Sequence, residues 1–85
     1  MARYYYFDID DGEVATEDED GIELYHAGEV RNHAIAVLPS LARDVLPDGD
    51  RREFTVTVRD DGNRSIFRAS LSFRADWLID PPGDG

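Results

Sequence analysis

Hydrophobic and polar side chains alternate from the first residues of the chain. Tyr5, Phe7 and Ile9 share one side, and Tyr4, Tyr6 and Asp8 the other. A run of aromatic and branched residues with period two, closed by Asp10-Asp11-Gly12, predicts a strand over Arg3–Ile9 and a turn behind it. Glu13–Glu17 is short and polar, with Val14 and Thr16 on one side, and reads as the hairpin partner of that strand. Asp18–Gly21 is a second turn, after which Ile22 and Leu24 anchor the chain ahead of a helix.

From about Ala27 to Leu46 the period changes. Val30, Ala34, Val37, Leu38, Leu41, Ala42 and Val45 recur at helical spacing and draw one apolar stripe. Pro39 falls inside this segment. At about 100° per residue it lies opposite the stripe, on the solvent side, where its missing donor would bend the helix over a twisted sheet. Pro47 ends the helix and Asp48-Gly49-Asp50 forms the loop.

Period two then returns. Over Glu53–Asp60, Phe54, Val56 and Val58 point inward and Thr55, Thr57 and Arg59 outward. Asp60-Asp61-Gly62-Asn63 is the clearest hairpin turn of the chain. Over Ser65–Ala75, Phe67, Ala69, Leu71 and Phe73 point inward, with Arg68, Ser70, Ser72 and Arg74 outward. The predicted class is α+β in the order ββαββ, a four-stranded and mainly antiparallel sheet with one helix packed on one face. Residues 1–76 form this single domain. Residues 77–85 form a C-terminal tail, in which Trp77, Leu78 and Ile79 are expected to cap an open end of the core before a flexible end. The sharper reading of those three residues is a docking peptide for a partner.

Composition narrows the class. Nineteen acidic residues against nine basic ones give a net charge of −10, and cysteine is absent, which excludes disulfides, a thiolate nucleophile and cysteine zinc sites. Residues 1–50 hold thirteen acids and three arginines, whereas residues 51–85 hold six of each. An acidic balance disfavours nucleic acid and anionic lipid as partners. No apolar leader and no membrane-length apolar window is found, and a cytoplasmic location is expected. All nine cations are arginine, for which a coding preference of a GC-rich genome is a simpler account than bidentate anion recognition.

The opening Arg3-Tyr4-Tyr5-Tyr6-Phe7-Asp8 with Asp11-Gly12 resembles the start of a family of short uncharacterised bacterial proteins that begin Arg-Tyr-Tyr-Phe-Asp before an Asp-Gly turn. Leu41-Ala42-Arg43-Asp44 with Leu46-Pro47, and Val58-Arg59-Asp60 ahead of Gly62, resemble its later pattern, so the likeness runs to Phe73. An extra tyrosine, Pro39 and the Trp77 tail depart from it. The family is a domain of unknown function: the resemblance implies the fold and supplies no activity.

Three constellations invite chemistry. The acidic run from Asp8 to Glu23 fails as an EF-hand, because placing Gly21 at loop position 6 puts Thr16 first and Ala27 twelfth, and Gly12 puts Phe7 first. A looser cation site on Asp18 and Asp20 is left, against a solvated turn that guards an edge strand. His26, Glu29 and His33, spaced i, i+3, i+7, would share a helix face and suit zinc or nickel, although a solvated face explains them as well. Ser40 with His33 and Asp44 lacks a nucleophile elbow and is rejected as a triad.

The uncovered sheet face should present Tyr4, Tyr6, Arg59, Arg68 and Arg74. Aromatics and arginines on an open sheet can grip single-stranded nucleic acid, yet they equally suit a protein interface or a plain solvated face. The expected function is therefore a small non-catalytic binding or regulatory module without a cofactor, acting through self-association or a protein partner. The competing expectations are a divalent-metal-binding protein using the acidic turn or the His26–Glu29–His33 set, and an acidic nucleic-acid mimic that occupies a basic protein. Attraction between an acidic first hairpin and an arginine-bearing second one, acting between copies, favours self-association.

Overall fold

In the computed structural model, which describes residues 2–83, the chain runs β1 (Arg3–Asp10), β2 (Ala15–Thr16), β3 (Ile22–Leu24), α1 (Ala27–Val45), β4 (Arg51–Arg59) and β5 (Ser65–Arg74). The class is α+β, with one helix and an antiparallel sheet. Its order is β2-β1-β4-β5, and β3 also pairs with β1. The sequence pattern counts four strands and the structure five. The difference lies at one edge, where β2 pairs with residues 9–10 of β1 and β3 with residues 3–5. Two short pieces replace the single hairpin partner, and Ile22 and Leu24 belong to the sheet rather than to a helix lead-in.

The first and second hairpins meet through β1 and β4, with Phe7 opposite Val58 and Ile9 opposite Val56. Phe54, Val56 and Val58 are fully buried, and Phe7, Val30, Ala34 and Leu38 complete the core. Tyr5, Ile9, Val37, Leu41, Phe67, Ala69 and Phe73 pack around it. The inward alternation of three strands thus meets the predicted helix stripe. α1 runs unbroken through Pro39, which is exposed. Leu46 leaves the helix with φ −74° and ψ 143°, the extended backbone that a residue before proline adopts.

α1 lies mainly over β4. The inward row of β5 is therefore only half covered, and Leu71, predicted to be inside, is 39% exposed. The tail departs further from expectation. Trp77, Leu78 and Ile79 are 66, 95 and 72% exposed and project from the domain instead of capping its core. The molecule measures 59 × 22 × 17 Å with a radius of gyration of 16.2 Å, against about 12 Å for a compact domain of this length. The flexible end expected at Asp84 and Gly85 lies outside the described residues.

Candidate functional site

The break between β2 and β3 is filled by a side chain. Tyr5 pairs with Ile22 and Ile9 with Thr16, so Phe7 between them has no strand opposite it on this side of β1. Its N–H donates instead to Asp18 Oδ2 at 3.0 Å. The other oxygen of the same carboxylate accepts from the N–H groups of Asp20 and Gly21, and the Asp18 N–H donates to Asp8 Oδ1 at 2.9 Å. Gly21 closes this turn at φ +72°, packed so tightly that a Cβ would lie 2.8 Å from the Tyr6 ring.

Arg59 locks the cluster from β4. Its Nε donates to Asp8 Oδ2 at 2.7 Å, one Nη to Asp8 Oδ1 and to the Asp18 carbonyl, and the other to Asn63 Oδ1. The guanidinium carbon stands 5.0 Å from the centre of the Tyr6 ring, a cation–π contact. The Arg59 bond holds the Asp8 carboxyl below its ordinary range against the opposing effect of burial. Burial pushes the Asp18 carboxyl up, but the N–H donors of Phe7, Gly21 and Asp20 outweigh it and leave it lowered. Asp8 in turn raises Arg59.

A second clamp sits at the other end of the first hairpin. The Arg52 side chain, 9% exposed, has Asp11, Glu13 and Asp48 carboxylates 3.5–3.7 Å away and donates to the Asp11 carbonyl. Asp11 also accepts from the N–H groups of Glu13 and Val14, which lowers its pKa. The charge complementarity expected between copies is thus largely satisfied inside one copy. Two arginines of β4 hold down the acidic hairpin.

The His26–Glu29–His33 set does not converge. Glu29 turns back to accept from the Tyr25 and His26 N–H groups at the helix start, a cap rather than a ligand position. His33 packs edge-on against Phe7, with ring centres 4.6 Å apart. Asp18 spends its oxygens on backbone donors, and Asp20 does not join it in a cage. Among the described residues no group of three or more His, Asp or Glu side chains comes together to hold an ion.

The five residues expected on the open face do share it. Asp8, Thr57 and Arg68 form one row across three strands, and Asp10, Thr55 and Ser70 the next. They line a shallow polar trough with Glu53, Thr16 and Glu17. Only part of the expected surface is free to make contacts. Tyr6 and Arg59 are tied to each other, and Arg74 pairs with Asp76 at 2.6 Å, which also lies 3.7 Å from Arg51. Tyr4 is exposed, and Arg68 makes no ion pair among the described residues.

The sequence reading missed Arg52, Asp8 and Asp18 as structural partners. The available signal was weak, consisting of one carboxylate inside a turn rich in others.

Fold and clamps together define a small α+β domain whose sheet is covered on one face and whose acidic hairpin is pinned by arginines. The chain belongs to the family described as Domain of unknown function (DUF6894), whose pattern matches residues 4–72. No curated protein and no solved structure matches it.

Proposed function

We propose that this domain is a non-catalytic binding module that acts through self-association or a protein partner, with contacts made by the β5 side of the sheet and by the tail. The observation that carries this reading is the run Trp77-Leu78-Ile79, three consecutive large apolar side chains left 66, 95 and 72% exposed. Such a patch costs solubility unless something covers it. Leu71 and Ile66 on β5 are 39 and 41% exposed as well.

Three carboxylates of the acidic hairpin are engaged within the fold. Asp8, Asp11 and Asp18 satisfy backbone donors and arginines, and these are also carboxylates that a nucleic-acid mimic would have to display. The test is light scattering across a concentration range, on the full chain and on the Trp77→Ser, Leu78→Ser double variant. A mass above that of the monomer, lowered in the variant, supports the reading. For a separate protein partner, retention from a native-host extract must fall with the same variant. A strict monomer that retains nothing, or retains the same proteins without the tail residues, would remove it.

A further inference from the structure

We infer that two copies of this chain join through β5, pairing antiparallel about a two-fold axis at Ser70; this deepens the self-association reading and rests on it. The two edges of the sheet are not equivalent. The β2/β3 edge is broken, with the Asp18 carboxylate filling the gap and Glu17, Glu19 and Asp20 around it. The β5 edge is ten residues long, carries no proline, and departs from regular register once, next to Ile66. Ala75 N–H donates to the Asp50 carbonyl on the β4 side. Strand alternation then turns the N–H and C=O groups of Arg68, Ser70, Ser72 and Arg74 outward, toward the free edge. Such a row is a template for another strand.

Charge selects the second copy's approach. The chain carries −10, concentrated in the first hairpin, which lies at the opposite edge of the sheet from β5. Joining through β5 keeps the two acidic hairpins at the far ends of the combined sheet, whereas joining through β2 and β3 would bring them together. Arg64 and Arg74 at the ends of the β5 edge are paired with Asp60 and Asp76 and Arg68 has no ion pair among the described residues, so this edge is near neutral where the other is acidic.

Side chains select the register. An axis at Leu71 would set Arg68 against the partner's Arg74, like charges directly opposed, and an axis at Ala69 would carry Arg74 past the end of the partner's strand toward the partner's Arg64. An axis at Ser70 sets Arg68 against the partner's Ser72. On the helix side it places Phe67 against the partner's Phe73, and Leu71 against the partner's Ala69, large beside small. It also carries Asp76 toward the partner's Arg64, beyond the ends of the strands. The half-covered row of β5 becomes continuous with its copy, and both helices lie on the same side.

The experiment is sedimentation equilibrium of the full chain together with single-cysteine cross-linking, which the absence of native cysteine makes clean. Ser70→Cys should give a disulfide-linked dimer under mild oxidation, and Thr16→Cys on the other edge should not. Ser70→Lys, with its fold checked by circular dichroism, should weaken dimerisation by about tenfold or more, because it puts two ammonium groups on the axis. A dimer that ignores Ser70→Lys and forms no Ser70→Cys link would overturn the β5 pairing while leaving self-association standing. A strict monomer with no cross-link would overturn both. A monomer whose separate protein partner is lost on Ser70→Lys would assign the edge to that partner, and would also overturn the symmetric pairing.

Discussion

Arg59 and Asp8, fifty-one positions apart in the chain, are joined by two hydrogen bonds of 2.7 and 3.1 Å. The pair connects the central strands β1 and β4 on the open face, and the same guanidinium reaches the Asp18 carbonyl and the Asn63 side chain. One planar cation thereby ties β1, the interrupted edge and the β4–β5 turn. It fixes the interrupted acidic edge of the first hairpin to the rest of the sheet.

Removing that cation should loosen the hairpin. The Arg59 and Asp8 side chains are 17 and 26% exposed, partly shielded from solvent. Arg59→Ala should lower the melting temperature by about 5–10 °C, from lost charge-assisted bonds in a small domain. Arg59→Lys should recover less than about half of this, because one ammonium cannot make the two-pronged contact and also span to Asn63. Equal melting of the lysine variant and the native chain would show that charge alone matters.

Asp18 sets a pH dependence. Its folded pKa lies below the ordinary aspartate value of 3.8, so as pH falls the unfolded chain binds the proton first. The stability due to the ionised carboxylate is therefore present above about 3.8 and drains away as pH falls through the lower folded value. Asp18→Asn keeps one acceptor oxygen but turns an amide donor toward the N–H groups of Phe7 or of Asp20 and Gly21. It should melt about 5 °C or more below the native chain at pH 7, with the gap closing toward pH 2. Melting curves at several pH values check this, and a gap that stays constant would exclude the ionised carboxylate as the cause.

Much of this architecture is legible in the sequence because it is periodic. Phe54, Val56 and Val58 alternate, Val30, Ala34 and Leu38 recur with the helix turn, and the structure buries all six. Asp60-Asp61-Gly62-Asn63 announces its turn, and Asn63 takes the φ of 64° that such a turn uses. The broken edge is not periodic. A carboxylate from Asp18 stands in for a backbone carbonyl, and no local pattern distinguishes it from Glu17, Glu19 or Asp20. Arg52 and Arg59 find partners far along the chain, a relationship invisible to spacing. The tail misleads for a different reason: an apolar run signals burial without saying which molecule provides it.

The Tyr6 contact makes Gly21 a sensitive position. Gly21 and Gly49 both hold positive φ, 72° and 82°, so alanine at either is strained by about 1–2 kcal/mol. A Cβ at Gly49 meets nothing within 4 Å, while one at Gly21 meets the Tyr6 ring at 2.8 Å and must displace the residue under Arg59. Gly21→Ala should therefore be clearly the less stable of the two in denaturant unfolding. Equal losses would mean that the ring moves aside freely.

Core and edge of the sheet should respond differently to truncation. Phe54 is fully buried between β5 and α1, and Phe54→Ala should cost about 3–5 kcal/mol, a large share of the stability of so short a domain. Leu71, its neighbour in register on β5, is 39% exposed, and Leu71→Ala should cost about 1 kcal/mol or less within a single copy. Unfolding at low and high protein concentration separates the two. A Leu71→Ala loss that grows with concentration would show that this side chain is covered by association.

Glu29 distinguishes a cap from a ligand. Its carboxylate accepts from the Tyr25 and His26 N–H groups at 3.0 and 2.9 Å and so satisfies donors that the first helical turn leaves open. Glu29→Ala should cost about 1 kcal/mol without any metal present. Added zinc or nickel should leave the melting temperature of the native chain and of His33→Ala equally unmoved, since an ion bound to the folded state alone would raise it. His33→Ala should itself be destabilised, through loss of its edge contact with Phe7. A zinc-dependent rise that vanishes in both Glu29→Ala and His33→Ala would instead mean that the helix start rearranges to bind metal, and the cap would be the ion-free form of that site.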